Sequence, residues 1–124
     1  MLKNLKSKTK KIIKRGKIRG TFKFKSKVIV WTYGTDRENI NSAWRFARVP
    51  EDISAKIREM QKGKLRRGFG AVYAKAKIKK TEWTTSIFPD WYSPTYILPL
   101  KKQIRYKENL YDGTQISITI EIWF

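Results

Sequence analysis

The chain has 124 residues, enough for one modest hydrophobic core and too few for two. It holds no Cys and no His, which excludes disulfides, thiolate or imidazole zinc sites, Cys–His nucleophiles and Ser-His-Asp triads. Its 29 Lys and Arg against 10 Asp and Glu leave a formal net charge of +19, a self-repulsion that an anionic partner would relieve.

The charge is uneven. Twelve cations lie between Lys3 and Lys27, and no acid precedes Asp36. A basic arm (1–16) therefore leads into a milder body, expected as one folded domain over 17–124. Lys3, Lys6, Lys8, Lys10, Lys11, Lys14 and Arg15 crowd the arm, and Leu2, Leu5, Ile12 and Ile13 make a loose apolar stripe. Three roles fit such a segment: a solubilising tail, an arm that orders on a phosphate backbone, or a membrane-surface helix. No apolar run is long enough for a signal sequence or a membrane span, so the expected location is cytoplasmic.

From Lys17 the period becomes two, which predicts a half-buried strand running to about Tyr33. Ile18, Phe22, Phe24, Val28 and Val30 should face inward, interrupted by Gly20 and Ser26. Lys17, Arg19, Lys23, Lys25 and Lys27 should form an outward ladder, either as edge protection or as a track for a polyanion. A polar loop over 34–41 precedes a second strand, Ser42–Val49, in which Trp44 reads as core or as a stacking platform. Pro50, Glu51 and Asp52 are suited to a helix start, and Ile53, Ile57 and Met60 supply its apolar stripe. The adjacent acids there read as capping groups and not as a general acid–base pair.

Gly68-Phe69-Gly70 leads into a strand instead of a helix, so it is not a nucleotide-binding fingerprint; its glycines suit a bend or positive φ. In that strand Val72, Ala74, Ala76 and Ile78 alternate with Tyr73, Lys75, Lys77 and Lys79, a second outward basic row over a crowded interior. Lys80–Glu82 should turn, and Trp83–Phe88 should return. The loop after Pro89 carries Trp91, Tyr92 and Tyr96, as a barrel plug or a base-stacking platform. A short strand, Thr95–Leu98, leads to a helix over 100–108, where Lys101 and Arg105 sit four apart. After a turn at 111–113, Ile116, Ile118, Ile120, Ile122 and Phe124 should face inward, opposite Gln115, Ser117, Thr119, Glu121 and Trp123.

Several motifs in this order resemble the domain-of-unknown-function family numbered 1905. They are Phe22-x-Phe24, Trp44-x-Phe46 running to Val49-Pro50-Glu51, Gly68-Phe69-Gly70, Trp83 to Pro89, and Tyr96 to Lys101. The resemblance spans about Phe22 to Trp123. The last turn reads Gly113-Thr114 where the family often has Gly-Asp. The resemblance implies a mainly β (α+β), small double-split β-barrel of about six strands capped by two short helices. The same broad fold includes dimeric DNA-binding regulators, an analogy of fold only. The family has no established activity, so no catalytic residue carries over.

The leading expectation is a non-enzymatic binder of nucleic acid or another polyanion, acting through the arm and the rows Lys17, Arg19, Lys23, Lys25, Lys27 and Lys75, Lys77, Lys79. The alternative is a barrel that binds a small ligand or a protein in a pocket lined by Trp44, Trp91 and Tyr96, with Lys101 and Arg105 near its mouth. An enzyme lacking His and Cys would need Lys, Tyr or a carboxylate as acid or base, and no spacing singles one out. No cofactor or metal is expected.

Overall fold

The computed structural model describes residues 18–31, 40, 42–62, 70–90 and 92–124. The basic arm, Lys17, residues 32–39 with most of the predicted 34–41 loop, Gly68-Phe69 and Trp91 lie outside the described residues.

The elements in chain order are β1 (Ile18–Lys27), β2 (Ile29–Val30), β3 (Arg45–Arg48), α1 (Glu51–Gln61), β4 (Val72–Ile78), β5 (Thr81–Pro89), β6 (Tyr96–Pro99), α2 (Lys102–Glu108) and β7 (Gln115–Trp123). All strands pair antiparallel in one seven-stranded sheet, ordered β1-β7-β4-β5-β6-β3-β2. β1 and β2 are thus separated by one residue in the chain, yet they occupy opposite edges of the sheet. Only a curled sheet meets that demand, and the molecule is a half-barrel. The count is seven and not six because the first predicted strand divides at Val28. That residue turns its backbone to the last turn: its N–H donates to the Thr114 carbonyl, and its own carbonyl accepts from Gly113 N–H.

The two interruptions in the β1 pattern have structural causes. Ser26 lies where β1 meets β3: its Oγ donates to the Arg48 carbonyl at 3.0 Å and accepts from Arg48 N–H at 3.1 Å. One hydroxyl thereby substitutes for ladder bonds across the seam. At Gly20, a Cβ would come within 3.0 Å of the Phe22 ring and 3.2 Å of Met60 Cε, so the missing side chain lets α1 approach the strand.

The expected periodicities hold through the core. Ile118, Ile120 and Ile122 are 2% exposed or less, and so are Val72, Ala74, Ala76 and Ile78. Ala76 lies between Ile120 and Trp83 on the neighbouring strands, a small residue between two large ones that lets the curled faces interdigitate. β3 departs from simple alternation: Arg45, Phe46 and Ala47 are all buried, as in a strand covered on both faces. The hairpin turn sits at Lys79-Lys80, one residue earlier than expected, with Lys79 in the left-handed region at φ 55°.

α1 begins after Pro50, with Glu51 and Asp52 in its first turn complementing the positive helix end. Ile57 is fully buried and Ile53 and Met60 pack partly against the core, as the stripe predicts. Two polar residues share that face. Ser54 Oγ donates to the Val49 carbonyl and accepts from Tyr96 N–H, both at 3.0 Å, and Tyr96 Oη donates to Gln61 Oε1 at 2.7 Å. Helix and β6 are therefore joined by buried hydrogen bonds as well as by apolar contact. Ser54→Ala is expected to lose about 1–3 kcal/mol, because the buried Tyr96 N–H loses this acceptor. A lower urea midpoint with an unchanged slope would register it.

Candidate functional site

The outer face of β1, β7 and β4 gathers the two lysine rows. The register sets Thr21, Glu121 and Lys75 in one cross-strand row and Lys23, Thr119 and Lys77 in the next, and Lys25 lies opposite Ser117. Strands about 4.8 Å apart put Lys23 and Lys77 on either side of Thr119, roughly 10 Å from each other at the backbone. The rows flank an open groove of about 1170 Å³, with Lys23 and Lys25 on one side, Lys75, Lys77 and Lys79 on the other, and Gln115, Ser117 and Thr119 along its floor.

Not every cation in the groove is available. Lys75 Nζ lies 3.7 Å from Glu121 and 3.8 Å from Glu82, and Lys77 Nζ lies 3.9 Å from Glu82. These half-exposed pairs hold the β4 row in place more than they add stability. Lys23, Lys25, Lys27 and Lys79 are exposed and have no carboxylate partner among the described residues. Glu108, at the far end of the groove, is held by the Thr81 hydroxyl.

Arg19 leaves the ladder, contrary to expectation. Ile18 pairs with Trp123 and Gly20 with Ile122, so a β-bulge makes Arg19 the extra residue, and its guanidinium lies over the Phe124 ring at 5.6 Å. The same bulge moves Ile18 to the outer face, where it is 41% exposed instead of buried. Trp123, expected outward, is on the outer face but only 4% exposed, covered by Ile18 on one flank and Tyr73 on the other.

The expected pocket residues do not combine as foreseen. Tyr96 is sealed in the core at 1% exposure, so it cannot line an open pocket. Trp44, read as core or as a stacking platform, is 62% exposed and so not core; it precedes β3, and its carbonyl accepts from Trp31 N–H. Arg105 turns its Nε to the Leu100 carbonyl at 3.0 Å, while Lys101 is exposed at the start of α2. Trp91 lies outside the described residues.

Two arginine clusters were not visible as pairs in the sequence, since their partners are 67 and 42 residues away. Arg45, buried at the start of β3, donates from Nε and Nη2 to the two oxygens of Asp112 at 3.0 and 3.1 Å, and from Nη1 to the carbonyls of Ile40 and Ala43. Arg48 Nη1 donates to Asp90 Oδ2 at 2.6 Å, to Ser93 Oγ and to Thr95 Oγ1. Burial pushes the Asp90 carboxyl up, but hydrogen bonds from Arg48 and from Tyr92 N–H, with the Arg48 charge, outweigh it and hold the group below its ordinary 3.8. For Asp112 the hydrogen bond from Arg45 dominates over burial, helped by the charges of Arg45 and Arg105, and its pKa is lowered too.

Both shifts favour the folded state wherever these groups are ionised. Their stabilisation is complete above the unfolded value near 3.8 and is lost as pH falls through the lowered folded values. Urea midpoints should therefore drop below about pH 4, and the drop should be smaller in an Asp90→Asn/Asp112→Asn variant. An equally steep drop in that variant would assign the acid sensitivity to other carboxylates.

Among the described residues, no three His, Cys, Asp or Glu side chains cluster to hold a metal ion, and no helix is long and apolar enough to cross a membrane.

A curled antiparallel half-barrel, closed at its seam by a serine and braced by two short helices, defines a small, mainly β protein. The chain belongs to the family described as Domain of unknown function (DUF1905), whose model matches residues 24–120. No curated protein matches the sequence.

Proposed function

We propose that the protein is a non-enzymatic binder of polyanions, nucleic acid above all, and that the groove on β1, β7 and β4 is its contact surface. The observation that carries this reading is the open groove that Lys23 and Lys25 line by their register on β7 and Lys79 lines from the hairpin turn, all three without carboxylate partners among the described residues. Ammonium groups there take phosphate oxygens and release condensed counterions, while Ser117, Thr119 and Gln115 offer hydroxyl and amide donors to the same oxygens. The contacts read the backbone and not the bases, so sequence preference is low. The basic arm, with Lys3, Lys6, Lys8, Lys10, Lys11, Lys14, Arg15 and Lys17, adds further phosphate contacts in this reading. A pocket-based ligand has less support, because Tyr96 is closed off from solvent.

Fluorescence anisotropy of the full chain with a generic RNA and a generic duplex DNA, across a salt series, tests the reading. Binding that weakens linearly on a log–log plot, with a slope of about −0.9 per phosphate contact on duplex, is expected. Absence of binding to both at low salt would overturn it.

A further inference from the structure

Beyond one end of the lysine groove, the outer face carries a row of three apolar side chains: Ile18 on β1, Trp123 on β7 and Tyr73 on β4. Tyr73 and Trp123 are stacked, with ring centroids 5.7 Å apart and planes 12° from parallel. Trp123 is 4% exposed and Tyr73 40%, so the indole is the buried base of the stack and the phenol its solvent-exposed member. Across β5 the partner of Tyr73 is Ser86. Tyr73 is also two residues from Lys75 on the same face of the same strand, about 6.6–6.8 Å along the backbone, with Lys77 following at the same interval and Lys79 in the hairpin turn beyond.

From this juxtaposition we propose that the protein prefers single-stranded nucleic acid, with an unpaired base stacking on Tyr73 while the adjoining backbone runs along the lysine groove. The inference rests on the polyanion reading above and adds a preference to it. A flat ring supported by a second ring loses little freedom when a base lands on it, and every base presents a π-face, so the contact tolerates any sequence. A duplex keeps its bases stacked on one another and would meet only the lysines. Charge complementarity alone does not distinguish strands from duplexes; the aromatic end of the groove does.

The test measures low-salt affinities of the full chain for three labelled probes: a 12-nucleotide single strand, an abasic strand of equal length, and the corresponding duplex. Wild type, Tyr73→Phe and Tyr73→Leu are compared, with far-ultraviolet circular dichroism confirming that each is folded. The expected result is that wild type and Tyr73→Phe bind the base-bearing strand about tenfold more tightly than the abasic one, and that Tyr73→Leu removes this difference without changing abasic or duplex affinity. The stacking proposal is overturned if wild type binds both strands equally, or if Tyr73→Phe loses as much as Tyr73→Leu. In those outcomes the polyanion reading survives, because both strands still bind. If neither strand nor the duplex binds, both readings fall together.

Discussion

Replacing Lys23, Lys25 and Lys79 together by glutamine is expected to weaken binding to a single strand by on the order of 100-fold at low salt and to flatten the salt dependence by about 0.7 per lysine. No carboxylate among the described residues already neutralises these three, whereas Lys75 and Lys77 each lie within 4 Å of Glu82. The matched control neutralises Lys56, Lys101 and Lys107, which are exposed and do not line the groove. It removes the same net charge, so it reports the general pull of a protein with charge +19. Equal losses in both variants would mean that the contact is diffuse and that the groove has no privileged role. Neither variant is expected to unfold, since all six ammonium groups stand in solvent and surface charge changes alter stability little.

Arg48→Met is expected to destabilise the fold by about 3 kcal/mol, the lower end for removing one partner of a buried ion pair. The Asp90 side chain is only 4% exposed and loses its sole charged partner among the described residues, although Tyr92 N–H continues to serve it at 2.9 Å. The loss reaches further than one pair. The Arg48 side chain ties the end of β5 to the hydroxyls of Ser93 and Thr95 before β6, and its backbone is the group that Ser26 bridges from β1. One residue thus connects the seam of the half-barrel to the β5–β6 connection. Combining Arg48→Met with Asp90→Asn should recover part of the loss by removing the stranded charge, and urea unfolding of both variants measures it. A loss below about 0.5 kcal/mol for the single variant would show that solvent replaces the arginine without penalty.

Patterns of period two and the helix-start signals were legible in the sequence because they depend on neighbours a few residues apart. The inward sets of β4 and β7, the α1 start at Pro50 and the turn at Gly113 all fall where local physics puts them. The bulge at Arg19 was not legible. Nothing in Lys17–Thr21 distinguishes a regular strand from one with an extra residue, and the shift is imposed by pairing with Trp123 and Ile122 on a strand a hundred residues away. The core reading of Trp44 failed for a related reason: its type favours burial, but its place just ahead of β3 leaves it facing solvent. Ser54 and Gln61 looked like ordinary polar helix residues, and only the packing of α1 on β6 gave their polar atoms buried partners.

By itself the sequence determined a mainly β chain, the absence of His and Cys chemistry, and the existence of two lysine rows, since each follows from composition or from spacing along one strand. Tertiary structure alone decided that the rows share a face, that two lysines of the β4 row are occupied by Glu82 and Glu121, and that Tyr73 rests on Trp123 at the end of the groove. The physical reason is register. Alternation tells which residues share a side of one strand, but the hydrogen-bonded pairing of β1 and β4 on either side of β7 decides which rows meet, and a one-residue slip would have turned one row to the opposite face.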